Sequence, residues 1–236
     1  VIGKWCKPNY NSVVATFCHN IARDLPIQIN DSDFHLKLVY IDDLIHKFKL
    51  IMLGENNSGP YTEVDPSYPV SVGELAKIIY AFKESRNTLI TERVGEGLIR
   101  ILYSTYISYL PTKNFVYGLK KHSDPRGMFV EMLKTKDSGQ FSFFTAHPGI
   151  TRGGHYHHSK TEKFLVIKGD AKFKFQNIIT DEFYEVQTSG VKPEIVETIP
   201  GWAHDITNIG DDEMIVMLWA NEIFDVNHPD TFTRIL

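Results

Sequence analysis

Cysteine is scarce: the 236 residues contain only Cys6 and Cys18, too few for a disulfide framework and suggestive of a reducing compartment. Basic charge is not in excess. Lys and Arg number 25 against 29 Asp and Glu, a formal net charge of −4, so no overall positive field draws the chain to nucleic acid. Long apolar runs are missing as well, since stretches such as Met214–Ala220 fall well short of the ~20 residues that span a bilayer. No basic start followed by an apolar core marks a secretory signal. The expectation is a cytoplasmic protein that binds neither nucleic acid nor membrane. With 42% hydrophobic and 23% charged residues the composition is globular. At ~150 residues per domain the length gives one to two domains.

The chain changes character near its middle. From Asn11 to Leu110 the pattern is mainly helical. Asn11-Ser12 caps a helix carrying Val13, Val14, Phe17 and Ile21 at helical spacing, and Pro26 follows it. Ile27-Gln28-Ile29 and Leu36–Ile41 read as short strands. Asp42-Asp43 opens a helix through Leu44, Ile45, Phe48 and Met52, where the macrodipole favours carboxylates. Ser71 with Glu74 forms a capping box for a third helix. A fourth runs through Leu98, Ile101, Leu102 and Tyr106 and ends by Pro111.

Beyond Lys113 the signal is strand-like: Phe141–Thr145, Lys163–Lys168, Ala171–Phe175, Phe183–Gln187, Ile195–Ile199 and Glu213–Trp219, punctuated by Gly and Pro. Many short strands without intervening helices suggest a closed barrel or sandwich. The boundary falls near Pro111–Asn114, dividing the chain into 1–112 and 113–236.

The strongest chemical signal is in the second half, where His155, His157, Glu162 and Gly169 read H-x-H-x4-E-x6-G. On a strand His155 and His157 project from one face, and Glu162 returns to it after a turn. His204, after Pro200-Gly201, offers a fourth ligand. Three imidazoles and a carboxylate suit Zn, Fe, Mn or Ni. An H-x-H alone is usually a surface hairpin, but crowded neutral imidazoles inside a barrel need a metal or hydrogen bonds.

This constellation resembles the two motifs of the cupin superfamily, a small β-barrel with its metal in the lumen. In the second motif Pro200 and Gly201 are adjacent rather than separated, and Glu194 stands where that family has glycine. Asp124-Pro125-Arg126-Gly127-Met128-Phe129-Val130-Glu131 and Arg152-Gly153-Gly154-His155 resemble signatures of dTDP-4-dehydrorhamnose 3,5-epimerase-type cupins. That resemblance implies substrate binding by Arg126 and Arg152, with the diphosphate at Arg152, and a catalytic-base role for His155. With His157, Glu162 and His204 as companions, His155 reads instead as a metal ligand. For Arg126 and Glu131 an ordinary barrel salt bridge is the alternative.

The first half resembles the substrate-binding half of extended short-chain dehydrogenases acting on nucleotide sugars. Its landmarks are Val1–Trp5, the Asn11–Arg23 helix, Leu25–Ile29, Val39–Leu44 and Pro69–Ala76. The phosphate-cradling G-x-x-G-x-x-G turn of that family is absent. The implied fold is multidomain, a partial α/β part followed by an all-β cupin barrel. In that order the two halves resemble the C-terminal two-thirds of the bifunctional reductase–epimerases of bacterial capsular-polysaccharide precursor synthesis, with about 130 residues of the reductase absent. The resemblance implies a homodimer with one zinc per cupin. It also implies NADPH in the full-length reductase, and a UDP-linked 2-acetamido-2,6-dideoxy-4-hexulose on the route to UDP-N-acetyl-L-fucosamine.

The chemistry expected of the cupin is C3 epimerisation. The C4 ketone acidifies the C3 proton, and an acid and a base on opposite faces exchange it. By proximity in sequence Glu131, His158 and Lys163 are the candidates, with Tyr156 beside them, although Tyr156 and His158 point away from the ligand face on a regular strand. Two other readings stand open: a metal-dependent cupin oxygenase, and a metal-stapled domain serving dimerisation or sugar binding.

Overall fold

The computed structural model describes residues 1–55 and 61–236. The chain divides into two compact units, Val1–Tyr117 and Gly118–Leu236. The division falls just after a 3₁₀ turn at Thr112–Asn114, where the sequence changes character.

In the first unit the helices lie where capping and periodicity place them. Helix α1 (Val13–Ile21) starts at Ser12, whose hydroxyl accepts from the Ala15 amide, and buries Val14, Phe17, Cys18 and Ile21. Pro26 is followed by irregular chain rather than the strand expected at Ile27–Ile29. There the Asn20 side chain donates to the Pro26 carbonyl, and among the described residues no strand pairs with the segment. Strand β1 (His35–Leu38) pairs antiparallel with β2 (Tyr68–Ser71). Helix α2 (Ile41–Met52) carries Asp42 and Asp43 in its first turn, and α3 (Val72–Thr88) begins with the Ser71 hydroxyl accepting from the Glu74 amide at 3.2 Å. A two-residue strand β3 (Ile90–Thr91) precedes α4 (Gly97–Ser108). Leu75, Ile79 and Phe82 of α3 pack with Ile101, Leu102 and Tyr106 of α4 into an apolar core. Among the described residues no helix is long and apolar enough to cross a membrane.

The second unit is a cupin-like β-barrel built of two sheets. Its strands are β4 (Lys121–Asp124), β5 (Gly127–Thr135), β6 (Gly139–Ala146), β7 (Thr151–Tyr156), β8 (Glu162–Lys168) and β9 (Asp170–Asn177). They continue as β10 (Phe183–Ser189), β11 (Ile195–Glu197), β12 (Trp202–Asn208), β13 (Met214–Ala220) and β14 (Phe232–Thr233). One sheet runs β10-β9-β12-β7-β14; the other runs β11-β8-β13-β6-β5, with β4 pairing β5. Alternation decides which side chains face inward. Phe164 and Val166 of β8, Phe173 and Phe175 of β9 and Val216 of β13 form the core, while Lys163, Lys172 and Lys174 take the intervening outward positions.

Candidate metal centre

Two glycines set the inner face of β7. The strand pairs antiparallel with β12, His204 opposite His155 and Asp205 opposite Gly153, so Gly154 is one extra residue in a bulge. Both glycines adopt positive φ, +97° at Gly153 and +79° at Gly154, and a Cβ on Gly153 would stand 2.8 Å from the His204 carbonyl oxygen. Only glycine fits that approach without strain. The consequence is one of parity. Arg152 and His155, three apart, would face opposite sides of a regular strand; the extra residue turns both into one cavity of about 130 Å³. Glu162 and His204 line the same cavity, walled by Phe129, Phe144, Phe164 and Phe173.

His157 follows directly after β7 and is 1% exposed, and Glu162 opens β8 with its amide bonded to Thr198 Oγ1 at 2.8 Å. One ligand atom from each of His155, His157, Glu162 and His204 lies within 4.8 Å of the others. The hydrogen bonds fix how two of the rings are turned. Nδ1 of His157 meets the Asp230 carbonyl and Nδ1 of His204 lies 3.4 Å from the Trp202 carbonyl. A carbonyl only accepts, so each Nδ1 is the donor and each ring turns its Nε2 toward Glu162. Those two Nε2 atoms stand 3.2 and 3.3 Å from Glu162 Oε2, and His204 Nε2, though buried, has no hydrogen-bond partner. A divalent cation bound there would be shared by the Nε2 lone pairs of the neutral rings and the carboxylate oxygen. The donor set therefore fits a first-row divalent ion.

The surrounding charges favour the same state. Burial, followed by the neighbouring His204, pulls the His155 imidazole down to about 4, leaving it neutral at pH 7. Burial alone would raise the Glu162 carboxyl, yet the imidazoles of His157 and His204 and the Lys160 ammonium hold it well below the ordinary carboxylate range. Lys160 Nζ is 3.0 Å from Glu162 Oε1, which leaves Oε2 to the imidazoles. Few lysines are this buried, and the ion pair accounts for it.

The model of the family described as "Polysaccharide biosynthesis C-terminal domain" matches residues 122–232. A Pseudomonas aeruginosa protein named UDP-2-acetamido-2,6-beta-L-arabino-hexul-4-ose reductase is 65% identical over 232 residues, covering 98% of this chain and 62% of that protein. A CapF structure with the inhibitor 3-isopropenyl-tropolone superposes with a TM-score of 0.95 at 43% identity, covering 100% of this chain and 68% of that one. CapF from Staphylococcus aureus, in another crystal form, gives 0.93 at 43%, covering 100% and 69%. The chain belongs to the CapF family. It spans about three-fifths of the length of its curated Pseudomonas relative.

In this CapF-family chain the two arginine motifs meet at one atom. Arg152 Nε donates to the Thr145 carbonyl at 2.9 Å, with its guanidinium over the Phe144 ring at 5.3 Å. Gly127 packs against the same carbonyl: a Cβ there would come within 2.4 Å of the oxygen. Arg126, in the preceding turn, is held by Asp124, which accepts from its NH2 at 2.6 Å and its Nε at 3.1 Å. Burial and then the charge of Arg126 lower the Arg152 pKa, so the two cations share one neighbourhood.

The acid–base candidates lie elsewhere. Tyr156 and His158 face outward and pack on Phe232, the Tyr156 ring stacked at 5.3 Å and the His158 ring edge-on at 4.8 Å. Lys163 pairs with Glu197 on the outer face, near the Trp219 ring. Alternation requires this, because Lys163 follows the inward Glu162. Glu131 stands two residues beyond the cavity-lining Phe129 and is paired with Lys134 at 2.9 Å. Sequence reasoning missed Lys160 and Asp230. Lys160 sits inside the ligand motif, two residues before Glu162, and was legible there; Asp230 carries no motif.

Proposed function

We propose that the second unit is a zinc-dependent C3-epimerase acting on a UDP-linked 2-acetamido-2,6-dideoxy-4-hexulose. The first unit is read as the substrate-binding part of the NADPH-dependent reductase that acts at C4 in the longer protein, a homodimer. The observation that carries the reading is the convergence of His157 and His204 Nε2 on Glu162 Oε2, beside a cavity that His155, Glu162, His204 and Arg152 line. The named activity of the Pseudomonas relative supplies the sugar class. The tropolone in the CapF complex supports a metal, because tropolones chelate through two adjacent oxygens.

At about 130 Å³ the cavity is small against the ~300–1,000 Å³ of ordinary ligand pockets, so it takes the ketosugar end of the substrate. The diphosphate is assigned to Arg152 and Arg126, whose planar guanidinium groups suit phosphate oxygens. His155, His157, Glu162 and His204 would hold the zinc, and bound zinc supplies Lewis-acid polarisation of the C4 ketone, worth several kcal/mol. Phe144, Phe164 and Phe173 exclude water from the ring. Among the three acid–base candidates Glu131 is best placed, on the strand face of Phe129, whereas His158 and Lys163 face outward.

Deuterium incorporation at C3 in D₂O, with the ketosugar nucleotide as substrate, tests this reading. Wild-type protein exchanges C3. Glu162→Gln keeps its far-UV circular dichroism but loses more than about 100-fold in exchange, since even outer-shell partners cost up to that much. No exchange by zinc-loaded wild type removes the epimerase reading. A lowered Tm with exchange retained makes the metal a structural staple, and oxygen consumption with the same sugar makes the protein an oxygenase.

A further inference from the structure

The strand that carries His155 and leads into His157 is bordered by the C-terminal segment. Phe232 and Thr233 of β14 pair with Tyr156 and His155, and the Arg234 amide donates to the Gly154 carbonyl at 2.8 Å. Just before this strand, Asp230 gathers the turn that joins His157 to Glu162. Its carboxylate accepts from the His158 amide at 2.8 Å, the Ser159 amide at 2.7 Å, the Ser159 hydroxyl at 2.9 Å and the Lys160 amide at 2.8 Å. Its main-chain carbonyl accepts from His157 Nδ1. One residue thus fixes the tautomer and ring direction of His157 and the course of the backbone to Lys160 and Glu162.

We propose that Asp230 is a positioning residue for the metal centre, and that docking of the 230–234 segment and metal binding are one coupled equilibrium. This rests on the metal reading above and goes beyond it. A ligand imidazole is oriented by what its other nitrogen donates to, and losing such an outer partner typically lowers metal affinity about 10–100-fold. Here that partner is a main-chain oxygen, held in place by the carboxylate of the same residue. Removing the carboxylate frees the carbonyl, the ring and the turn together. The coupling is reciprocal: zinc tightens the segment by the factor by which the segment tightens zinc.

Zinc titration of the full chain against a chromophoric chelator measures the effect, in wild type, Asp230→Ala, Asp230→Asn and Asp225→Ala. Asp225 is the control, because its carboxylate accepts from the nearby Asn227 amide at 2.9 Å and sits beside His228, within its own turn. The expected result is an affinity loss of about 10–100-fold in Asp230→Ala, a smaller loss in Asp230→Asn, and none in Asp225→Ala. The visible spectrum of the cobalt-substituted protein should change in Asp230→Ala and not in Asp225→Ala, a ligand-field signature that general loosening of the surface does not give. Amide hydrogen exchange on wild type avoids mutation altogether: zinc should slow exchange at His158, Ser159 and Lys160. Equal affinity and equal cobalt spectra in Asp230→Ala and Asp225→Ala, or amides at 158–160 indifferent to zinc, overturn the proposal while the metal reading stands. Wild type that takes up no zinc overturns both.

Discussion

The two units have interiors of opposite kinds. Among the described residues the first unit buries one polar side chain, Thr105, whose hydroxyl donates back to the Ile101 carbonyl of its own helix. Its core is otherwise apolar, with the Phe82 and Tyr103 rings edge-on at 5.1 Å. The second unit buries His157, Lys160, Glu162, His204 and Asp205, and leaves Thr188 Oγ1, His204 Nε2 and Asp205 Oδ1 without hydrogen-bond partners. Burying such groups opposes folding unless each is paired. The first interior is accounted for by packing alone. The second concentrates ionisable groups around Glu162 that a bound cation would help to satisfy, and that difference separates a scaffold from a candidate site.

The sharpest way to break this contrast is to remove the metal. At free zinc ~1,000 times Kd the barrel should gain about 4 kcal/mol, a gain abolished by chelator. Hydrogen exchange on the barrel strands reads it, and equal stability with and without zinc would make the cluster self-sufficient. The gain should also fade in acid. His155 has a folded-state pKa near 4 against an ordinary 6.5, so the unfolded chain binds the extra proton first. Stability from this group is full above pH ~6.5 and lost as pH falls toward 4. Zinc binding weakens over the same window, since its ligands must be deprotonated.

A smaller effect tests the bulge. Gly153→Ala places a Cβ against the His204 carbonyl in a left-handed conformation that costs about 1–2 kcal/mol by itself. Thermal denaturation should show the loss, and zinc affinity should fall with it because His204 is the residue displaced. An unchanged Tm would mean the two strands separate there at no cost.

The smallest expected effect is at Lys163. As an exposed partner of Glu197, Lys163→Ala should change stability by less than about 1 kcal/mol and leave C3 exchange intact. A large loss of exchange would return Lys163 to the chemistry.

Much of this was legible in the sequence, for local reasons. Ser12 and Ser71 cap helices through bonds that close within three residues, and the spacing of His155, His157 and Glu162 is short enough to be read on one strand and one turn. What escaped depends on distant partners. Ile27–Ile29 has strand-forming residues but no strand beside it. β5 lacked a clear signal because its register with β6 shifts between Glu131 and Leu133. His158 and Lys163 were attractive as acids and bases from their neighbourhood in the chain, yet alternation turns them outward. Asp230 acts from the far end of the chain, and nothing in Asn227-His228-Pro229-Asp230 distinguishes it from a surface turn until the backbone brings it to His158–Lys160.

The Thr145 carbonyl, which receives Arg152 and is crowded by Gly127, has a consequence for how this site tolerates change. It is a main-chain atom, present whichever residue occupies position 145. The Thr145 hydroxyl serves a separate bond, accepting from the Met128 amide at 3.2 Å. Substitution at 145 would therefore test that hydroxyl and say nothing about the oxygen that anchors the arginine. The anchor is encoded at its correspondents, in the missing side chain of residue 127 and the guanidinium of residue 152. A mutational scan at 145 would read only the hydroxyl and the packing of a buried side chain, and replacing the 145–146 amide with an ester, which weakens the carbonyl as an acceptor, would reveal what lies in the middle.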